Sequence, residues 1–391
     1  MPLSKRSLPF DILDSIRGIA SLYVTIAHCR GTLWIGGNEF SKMFSSDNWS
    51  TWDYIMIGSS MLTRLAVEFV IVFFLLSGFS IAHSLSQNKA PLPFYKRRLI
   101  RIYPSYVVAL VWAGIIFVAT KAIFPEWYDG SMNRFAFLRT TQMNTYLESD
   151  VIIKNLLYMP STGFITPFWS LTYEVIFYLL APFLLRRTHL YAGVSISLFL
   201  AGMVAPRFIS SLDLHPYIND FLFVYNIYFA AGVLLYKHFD TVMEWFSGVS
   251  KRAHVVIILL AAGLMYGINF YLRTESSYSF MAAAAFSFVL IFYFLKYRTK
   301  IPWLIKIGKF SYTLYITHLA SIFLYLGIYW LIFRPTTPYI LNYFVWMPAV
   351  LFCLLMAYIQ FRLVESKTKG ILNRLRFKRT TNNSVAVTEG S

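Results

Sequence analysis

Long apolar segments recur along this chain, and each is long enough to form a membrane-spanning helix. Crossing the hydrocarbon core of a bilayer takes about 20 apolar residues in a helix. Only 14% of the 391 residues are charged, whereas soluble domains have about 25%. The pattern predicts an all-α, polytopic integral membrane protein with about ten transmembrane helices. The predicted spans are residues 12–34, 63–86, 102–124, 167–185, 190–208, 218–237, 254–272, 278–297, 310–333 and 340–364.

The basic residues between these spans indicate how the chain is oriented. Alternate segments, beginning with the N-terminal one, hold most of the 35 Lys and Arg residues, and such segments lie in the cytoplasm. Both termini are therefore predicted to be cytoplasmic, and the long loop 125–166 to lie outside. We expect one membrane domain at 1–366. Residues 367–391 form a basic and then polar cytoplasmic tail, with a disordered end.

Charge and cysteine usage exclude several other classes of protein. The net charge of +17 resides in short loops between apolar runs, and no nucleic-acid-binding motif accompanies it. The two cysteines, Cys29 and Cys353, both fall in apolar spans. They offer neither a disulfide framework nor a metal-ligand spacing. We therefore expect membrane lipids as partners, with no nucleic acid and no metal.

The first apolar run carries two ionisable residues, Arg17 and His28. Such groups inside a span are costly and usually face a bundle interior or a wet cavity. Eleven residues make about three helical turns, so both side chains share one face, about 16 Å apart along the axis. A snorkelling arginine and a packed histidine would explain each residue alone. Together on one face they favour a functional polar line through the membrane.

Two carboxylates are predicted near the depth of His28. The fourth span runs inward from about Pro167, which places Glu174 about 10 Å below the outer surface. Glu68 lies near the outer end of the second span. An imidazole and a carboxylate at one depth can act as a general-base pair. The alternative is a structural ion pair that ties helices together.

Five segments resemble, in order, the motifs of the membrane acyltransferase-3 family, whose members O-acylate surface glycans and related envelope molecules. The resemblance runs to about Glu365, where Glu365-Ser366-Lys367 departs from the family's closing Glu-Pro. It implies a standalone enzyme of the bacterial inner (plasma) membrane, without an extracellular hydrolase-like domain. The segments are IRGIASLYVTIAH (Ile16–His28), FFLLSGFSI (Phe73–Ile81), YKRRLIRIYPSY (Tyr95–Tyr106), FWSLTYEVIFYLLAP (Phe168–Pro182) and IGKFSYTLYITH (Ile307–His318).

The resemblance implies acyl-CoA, most often acetyl-CoA, as a cytoplasmic donor and a glycan or lipid-linked sugar hydroxyl as the acceptor outside. Arg97, Arg98 and Arg101 form a cationic cluster on the donor side, and guanidinium groups suit phosphate. Basic loops also serve topology and anionic-lipid binding. Arg17 would contact the CoA phosphates or hold the pantetheine arm.

In this interpretation His28 activates the acceptor hydroxyl, and Glu174 orients or charge-stabilises its imidazole. A direct transfer and a covalent acyl-His28 intermediate both remain open. Seven other residues are predicted to line the site, although helix packing or aromatic anchoring at the membrane interface could also explain their presence. They are Glu68, Ser77, Gly78, Tyr103, Ser311, Tyr312 and His318.

Two other functions fit the same polar residues. A transporter or flippase for an envelope glycan or lipid intermediate would also need a polar path through a ten-span bundle. A non-enzymatic assembly or sensor protein is the third reading. Acyl-CoA consumption by the purified protein separates the enzyme from both.

Overall fold

The fold is described from a computed structural model, which covers residues 10–128, 145–159, 163–272, 276–334 and 340–368, together with 370. Throughout these described residues the secondary structure is helical, and they contain no strand. The predicted all-α class is therefore confirmed. The predicted disordered end of the tail lies outside the described residues.

The α-helices are numbered α1 to α17 in chain order, and short 3-10 or π-helical turns join several of them. The helices of the described part are Phe10–Leu33, Gly37–Met43, Thr51–Met61, Ala66–Gln87, Pro91–Ile123, Ser149–Leu156, Trp169–Leu184, Thr188–Val204, Pro206–Ser210, Pro216–Asp220, Asn226–Lys237, Phe239–Trp245, Lys251–Leu272, Ser277–Lys296, Pro302–Lys309, Ser311–Phe333 and Trp346–Gln360. The π-helical turns are Phe221–Tyr225 and Phe361–Glu365.

Eight helical segments of the described chain are long and apolar enough to cross a membrane, judged by length and composition. They correspond to nine of the ten predicted spans, because one segment, Ile165–Val204, contains both the fourth and the fifth. A 3-10 turn at Leu185–Arg187 separates these two spans. The remaining predicted span is α1, which is not among the eight. The polytopic membrane class is confirmed, whereas the count of ten and the cytoplasmic termini stay predictions.

Two glycines set the contact between α4 and α11. A Cβ atom at Gly78 would overlap the carbonyl oxygen of Phe229, and one at Gly232 would overlap that of Leu75. Small residues let helix backbones approach this closely in membranes. Gly78 thus has a packing role, and its predicted place in the site lining stays a prediction.

A second close approach joins the start of α1 to α15. A Cβ atom at Gly18 would overlap the Leu304 carbonyl oxygen, and one at Gly308 would overlap the Asp14 carbonyl oxygen. The short amphipathic helix α15 therefore lies directly against the first turns of α1. This contact fixes the height and rotation of α1, and with it the position of the neighbouring Arg17.

Replacing Gly232 by alanine is expected to lower the thermal stability of the detergent-purified protein. The added methyl group collides with backbone, and overpacking of this kind costs about 1–3 kcal/mol. The matched control is Gly263→Ala, because the space around the Gly263 Cα is open and alanine favours the helix by about 1 kcal/mol. Equal melting temperatures for the two variants would contradict the proposed close contact.

Candidate active site

A polar cavity of about 100 Å³ lies between α1, α4, α5, α7 and α16. It is lined by residues from all five of the segments that carry the family motifs. The cavity brings together seven of the predicted site residues, which are Arg17, Ser77, Arg98, Arg101, Glu174, Ser311 and Tyr312. Residues from distant parts of the sequence therefore converge on one site.

Arg17 lines this cavity and is held by side chains of two helices. Its Nη1 donates to Asp14 Oδ1 at 2.8 Å, and its Nη2 donates to Ser80 Oγ at 2.8 Å. The first contact is an ion pair one turn back on α1, and the second reaches across to α4. These two contacts fix the orientation of the Arg17 guanidinium group. Its remaining N–H groups can then be presented to a ligand.

Arg98 and Arg101 line the same cavity. The Arg98 guanidinium lies over two aromatic rings, with its Cζ 5.5 Å from the Phe94 centroid and 5.3 Å from the Tyr178 centroid. Such cation–π contacts stabilise and orient a guanidinium. Arg97 is not among the residues that line the cavity, so its predicted part in the three-arginine cluster stays a prediction. Residues three apart share a helix face, which brings Arg98 and Arg101 together.

Glu174 is tied to the donor side of the cavity and not to His28. Its Oε1 accepts a hydrogen bond from Ser77 Oγ at 2.6 Å and a second one from the Tyr178 hydroxyl. The predicted His28–Glu174 pair is therefore wrong for the bonds described here. Ser80 accepts a hydrogen bond from Arg17, so the two residues lie at the same height in the bundle. Ser77 is about one helical turn away from Ser80 on α4. Glu174 thus lies about 5 Å from that level, whereas His28 is about 16 Å away from it.

The partner of His28 is a second histidine. His28 Nδ1 lies 3.0 Å from His318 Nε2, and the two rings stack with centroids 4.9 Å apart. His318 is fully buried, whereas His28 is partly exposed. The sequence predicted His318 only as a residue lining the site, and the structure places it in direct contact with the candidate catalytic group.

The backbone determines which nitrogens of this pair carry protons. His318 Nδ1 lies 2.7 Å from the carbonyl oxygen of Tyr315 and 3.2 Å from that of Leu314. Because a carbonyl oxygen only accepts, Nδ1 must hold the proton, and Nε2 of the neutral ring is then an acceptor. His28 Nδ1 donates to that acceptor. The lone pair of neutral His28 consequently lies on Nε2, the basic nitrogen that is free of this contact.

Tyr315 lies next to the cavity and next to the histidine pair. Its side chain lines the cavity, and its ring centroid lies 5.9 Å from that of His318. Its hydroxyl donates to the Pro167 carbonyl oxygen at 2.9 Å and shares a 2.7 Å hydrogen bond with Ser170. One side chain therefore adjoins both the arginine-lined cavity and the histidine pair.

Four of the predicted residues also have contacts away from the cavity space, and two of them, Ser311 and Tyr312, line the cavity as well. Glu68 is buried outside the cavity, where its Oε1 accepts from Asn269 Nδ2 at 2.8 Å. Tyr103 packs against Tyr158, with ring centroids 6.1 Å apart. Tyr312 donates to the Ile102 carbonyl oxygen at 3.1 Å. Ser311 donates to Gly308 O at 2.9 Å.

Sequence reasoning missed three features of the site. Tyr178 lies four residues after Glu174, a spacing that places both on one helix face, so its role could have been found. Tyr315 lies inside the fifth motif segment, but it carries no charge that would mark it as a site residue. Cys29 and Cys353 come within 3.9 Å of each other, and no local signal pairs them. The described residues contain no group of three His, Cys, Asp or Glu that could hold a metal.

Comparison with known proteins agrees with this geometry. The model of the acyltransferase-3 family, described as an acyltransferase domain, matches residues 10–359. The chain belongs to this family, and it is a membrane acyltransferase. Acyltransferase MdmB of Streptomyces mycarofaciens is 26% identical over 294 residues, which cover 68% of this chain and 71% of that protein. No solved structure matches the chain significantly.

Proposed function

We propose that the protein transfers an acyl group from cytoplasmic acyl-CoA to a hydroxyl of an extracytoplasmic glycan or lipid-linked sugar. The acyl group proposed is acetyl. The membrane is the bacterial inner (plasma) membrane. One observation carries the proposal: Tyr315 lines the cavity together with three arginines, and its ring lies next to His318 of the His28–His318 pair. In this proposal the arginines bind the phosphates of the donor, and the histidine pair carries out the proton transfer.

The donor end of the site is cationic. Arg17, Arg98 and Arg101 all face the cavity, and charge-assisted, fork-shaped contacts make arginine well suited to the phosphates of CoA. Glu174 helps to position Arg98 at this end. It accepts a hydrogen bond from the hydroxyl of Tyr178, and the Tyr178 ring lies beneath the Arg98 guanidinium group. In this proposal Glu174 positions the donor site, and the thioester reaches toward the histidines.

The histidine end supplies the base. The acceptor hydroxyl donates to His28 Nε2 and transfers its proton there as its oxygen forms a bond to the thioester carbonyl carbon. The carbon–sulfur bond then breaks, and the departing CoA thiolate takes up the proton. In a covalent route the same Nε2 lone pair attacks the thioester first, and the carbon–sulfur bond breaks to release the CoA thiolate. The acceptor hydroxyl then attacks acyl-His28, the bond from the acyl carbon to Nε2 breaks, and the thiolate takes up the hydroxyl proton. In both routes His318 holds His28 in the required tautomer.

Mass spectrometry of surface glycans and envelope lipids, with and without the gene, tests this proposal in the cell. We expect an ester-linked acyl group to disappear from one envelope component when the gene is deleted and to return with the wild-type copy. An unchanged acylation pattern, combined with loss of transport of an envelope intermediate, would favour the flippase alternative.

Replacing Arg98 and Arg101 together by alanine is expected to raise the KM for acyl-CoA by at least about tenfold, with a smaller effect on kcat. Each hydrogen bond to a charged group contributes about 1.5–3 kcal/mol, and each 1.4 kcal/mol is a factor of ten. Arg97→Ala is the matched control, because this neighbouring arginine does not line the cavity. A folded double variant with the wild-type KM would remove these residues from the donor site.

A further inference from the structure

His28 is open to a space other than the arginine-lined cavity. Its side chain is partly exposed, yet it is not among the residues that line that cavity. Gly31 follows it on the same face of α1, since residues three apart are neighbours on a helix. Gly31 is exposed, and a Cβ atom added to it would meet no atom within 4 Å. An open space therefore adjoins α1 beside His28.

Two tyrosines continue the face of α16 that carries His318. Tyr325 and Tyr329 follow His318 by seven and eleven residues, and both spacings bring a side chain within about 20° of the direction of His318. They lie about 10 Å and about 16 Å further along the helix. This direction leads away from Ser311, which lines the arginine-lined cavity. The face of α16 that meets His28 therefore continues toward the far end of the bundle as two tyrosines.

The contacts of Tyr325 show that this face is turned toward α1 and α17. Tyr325 lies within electrostatic range of Tyr329 and of Cys29, the residue that follows His28. Its ring centroid is 5.8 Å from that of Phe352 on α17. A tyrosine that only anchors a helix in the membrane interface faces lipid instead. Tyr325 therefore lies where α1, α16 and α17 meet.

The hydroxyl groups of both tyrosines are available to a ligand. Both side chains are partly exposed. Neither hydroxyl makes a hydrogen bond within the described part of the chain, and neither is among its buried unpaired atoms. Each tyrosine thus presents an apolar ring together with a hydroxyl that can donate and accept. A pyranose ring has the complementary surface, because it carries apolar C–H faces and hydroxyls around its edge.

We propose that Tyr325 and Tyr329 position the sugar acceptor, which reaches His28 through the space bounded by Gly31 and these two tyrosines. We call this space the outer cleft. The sugar ring lies against the tyrosine rings, and its hydroxyls form hydrogen bonds with the two phenol groups. The inference rests on the proposed function and adds to it the route of the acceptor and the residues that select it. Donor and acceptor then approach the histidine pair from different ends of the bundle.

The steady-state kinetics of a variant with both Tyr325→Phe and Tyr329→Phe test this role, with an envelope glycan fraction as the acceptor. Each lost hydrogen bond weakens binding by about two- to twelvefold, so the KM for the acceptor should rise at least about fivefold. The KM for acyl-CoA and the kcat at saturating acceptor should stay near the wild-type values, a split that a merely structural defect does not produce. The matched control is Tyr271→Phe, because Tyr271 at the end of α13 is 84% exposed. An unchanged acceptor KM in the folded double variant would overturn the role of these tyrosines and leave the proposed acyl transfer standing.

A thiol-labelling experiment tests the outer cleft without any acyl transfer. Gly31→Cys protein in lipid nanodiscs is treated with a maleimide reagent, and the native Cys29 and Cys353 are buried. The envelope glycan fraction, without acyl-CoA, should slow the labelling several-fold, and the two Tyr→Phe substitutions should remove most of this protection. The control is Ser211→Cys, at an exposed position in another part of the chain, whose labelling should not respond to glycan. Equal labelling of Gly31→Cys with and without glycan would overturn the proposal, whether or not the protein transfers an acyl group.

Discussion

Replacing His28 by glutamine is expected to abolish acyl transfer while the protein still inserts into the membrane and accumulates. Glutamine nearly preserves the volume and some hydrogen bonding of histidine, but it cannot accept a proton from the acceptor hydroxyl. Loss of a general base lowers a rate by about 10²- to 10⁴-fold, and loss of a covalent nucleophile lowers it further. Turnover of purified His28→Gln and His28→Ala proteins, measured as free CoA released, should be equally low.

The control for this experiment is His254→Gln. His254 is also buried, but its Nε2 contacts the Val289 carbonyl oxygen between α13 and α14, and it does not line the active-site cavity, so its loss should leave turnover near the wild-type value. The wild-type rate should also fall at low pH, because a protonated imidazole has no lone pair for the acceptor hydroxyl. Wild-type turnover in a folded His28→Gln protein would remove His28 from the mechanism.

Replacing His318 by leucine should have the second-largest effect on turnover. The change removes the acceptor for His28 Nδ1–H, so His28 is no longer held with its lone pair on Nε2. Loss of such an orienting partner in a catalytic triad lowers kcat by about 10⁴, and we expect a decrease of about 10²- to 10⁴-fold here. The KM for acyl-CoA should change little, since His318 lies outside the arginine-lined cavity.

A conservative variant distinguishes positioning from structural support. The amide oxygen of His318→Gln can still accept the His28 Nδ1–H bond, so this protein should recover part of the lost kcat. Thermal melting of both variants checks that the fold is intact. Equal turnover of the leucine variant and the wild type would show that the 3.0 Å contact has no catalytic role.

The class of the fold follows from the sequence because the bilayer leaves few solutions. An apolar segment of about 20 residues must satisfy its own backbone hydrogen bonds in lipid, which a helix does. The motif residues also converge as expected, since Arg17, Ser77, Glu174 and Tyr312 line one cavity. Here the family resemblance contributes more than periodicity, which identifies helices but does not pair them.

The errors concern relationships between helices. Counting residues from the ends of the spans predicts that Glu174 lies at the depth of His28, but this count assumes straight helices that start at equal heights. The real heights depend on backbone contacts at positions such as Gly78 and Gly232. His28 and His318 are separated by 290 residues, and no local pattern in either helix shows that they meet. The contact between Cys29 and Cys353 could not be predicted for the same reason.

The reassignment of Glu174 changes what its substitution should do. The carboxylate holds Tyr178 beneath Arg98, and it does not contact the imidazole of His28. Its role therefore belongs to donor binding in the mechanism proposed above. This division leaves the histidine pair as the only basic centre assigned to the acyl-transfer step.

The central claim is tested most directly with the purified protein in proteoliposomes, supplied with acetyl-CoA and an envelope glycan fraction as the acceptor. Free CoA and acetylated acceptor are measured together. We expect wild-type protein to produce the two in equal amounts, and His28→Gln protein to produce neither above background. Movement of envelope glycan across the bilayer with the thioester left intact would contradict an acyltransferase that uses His28 as its base.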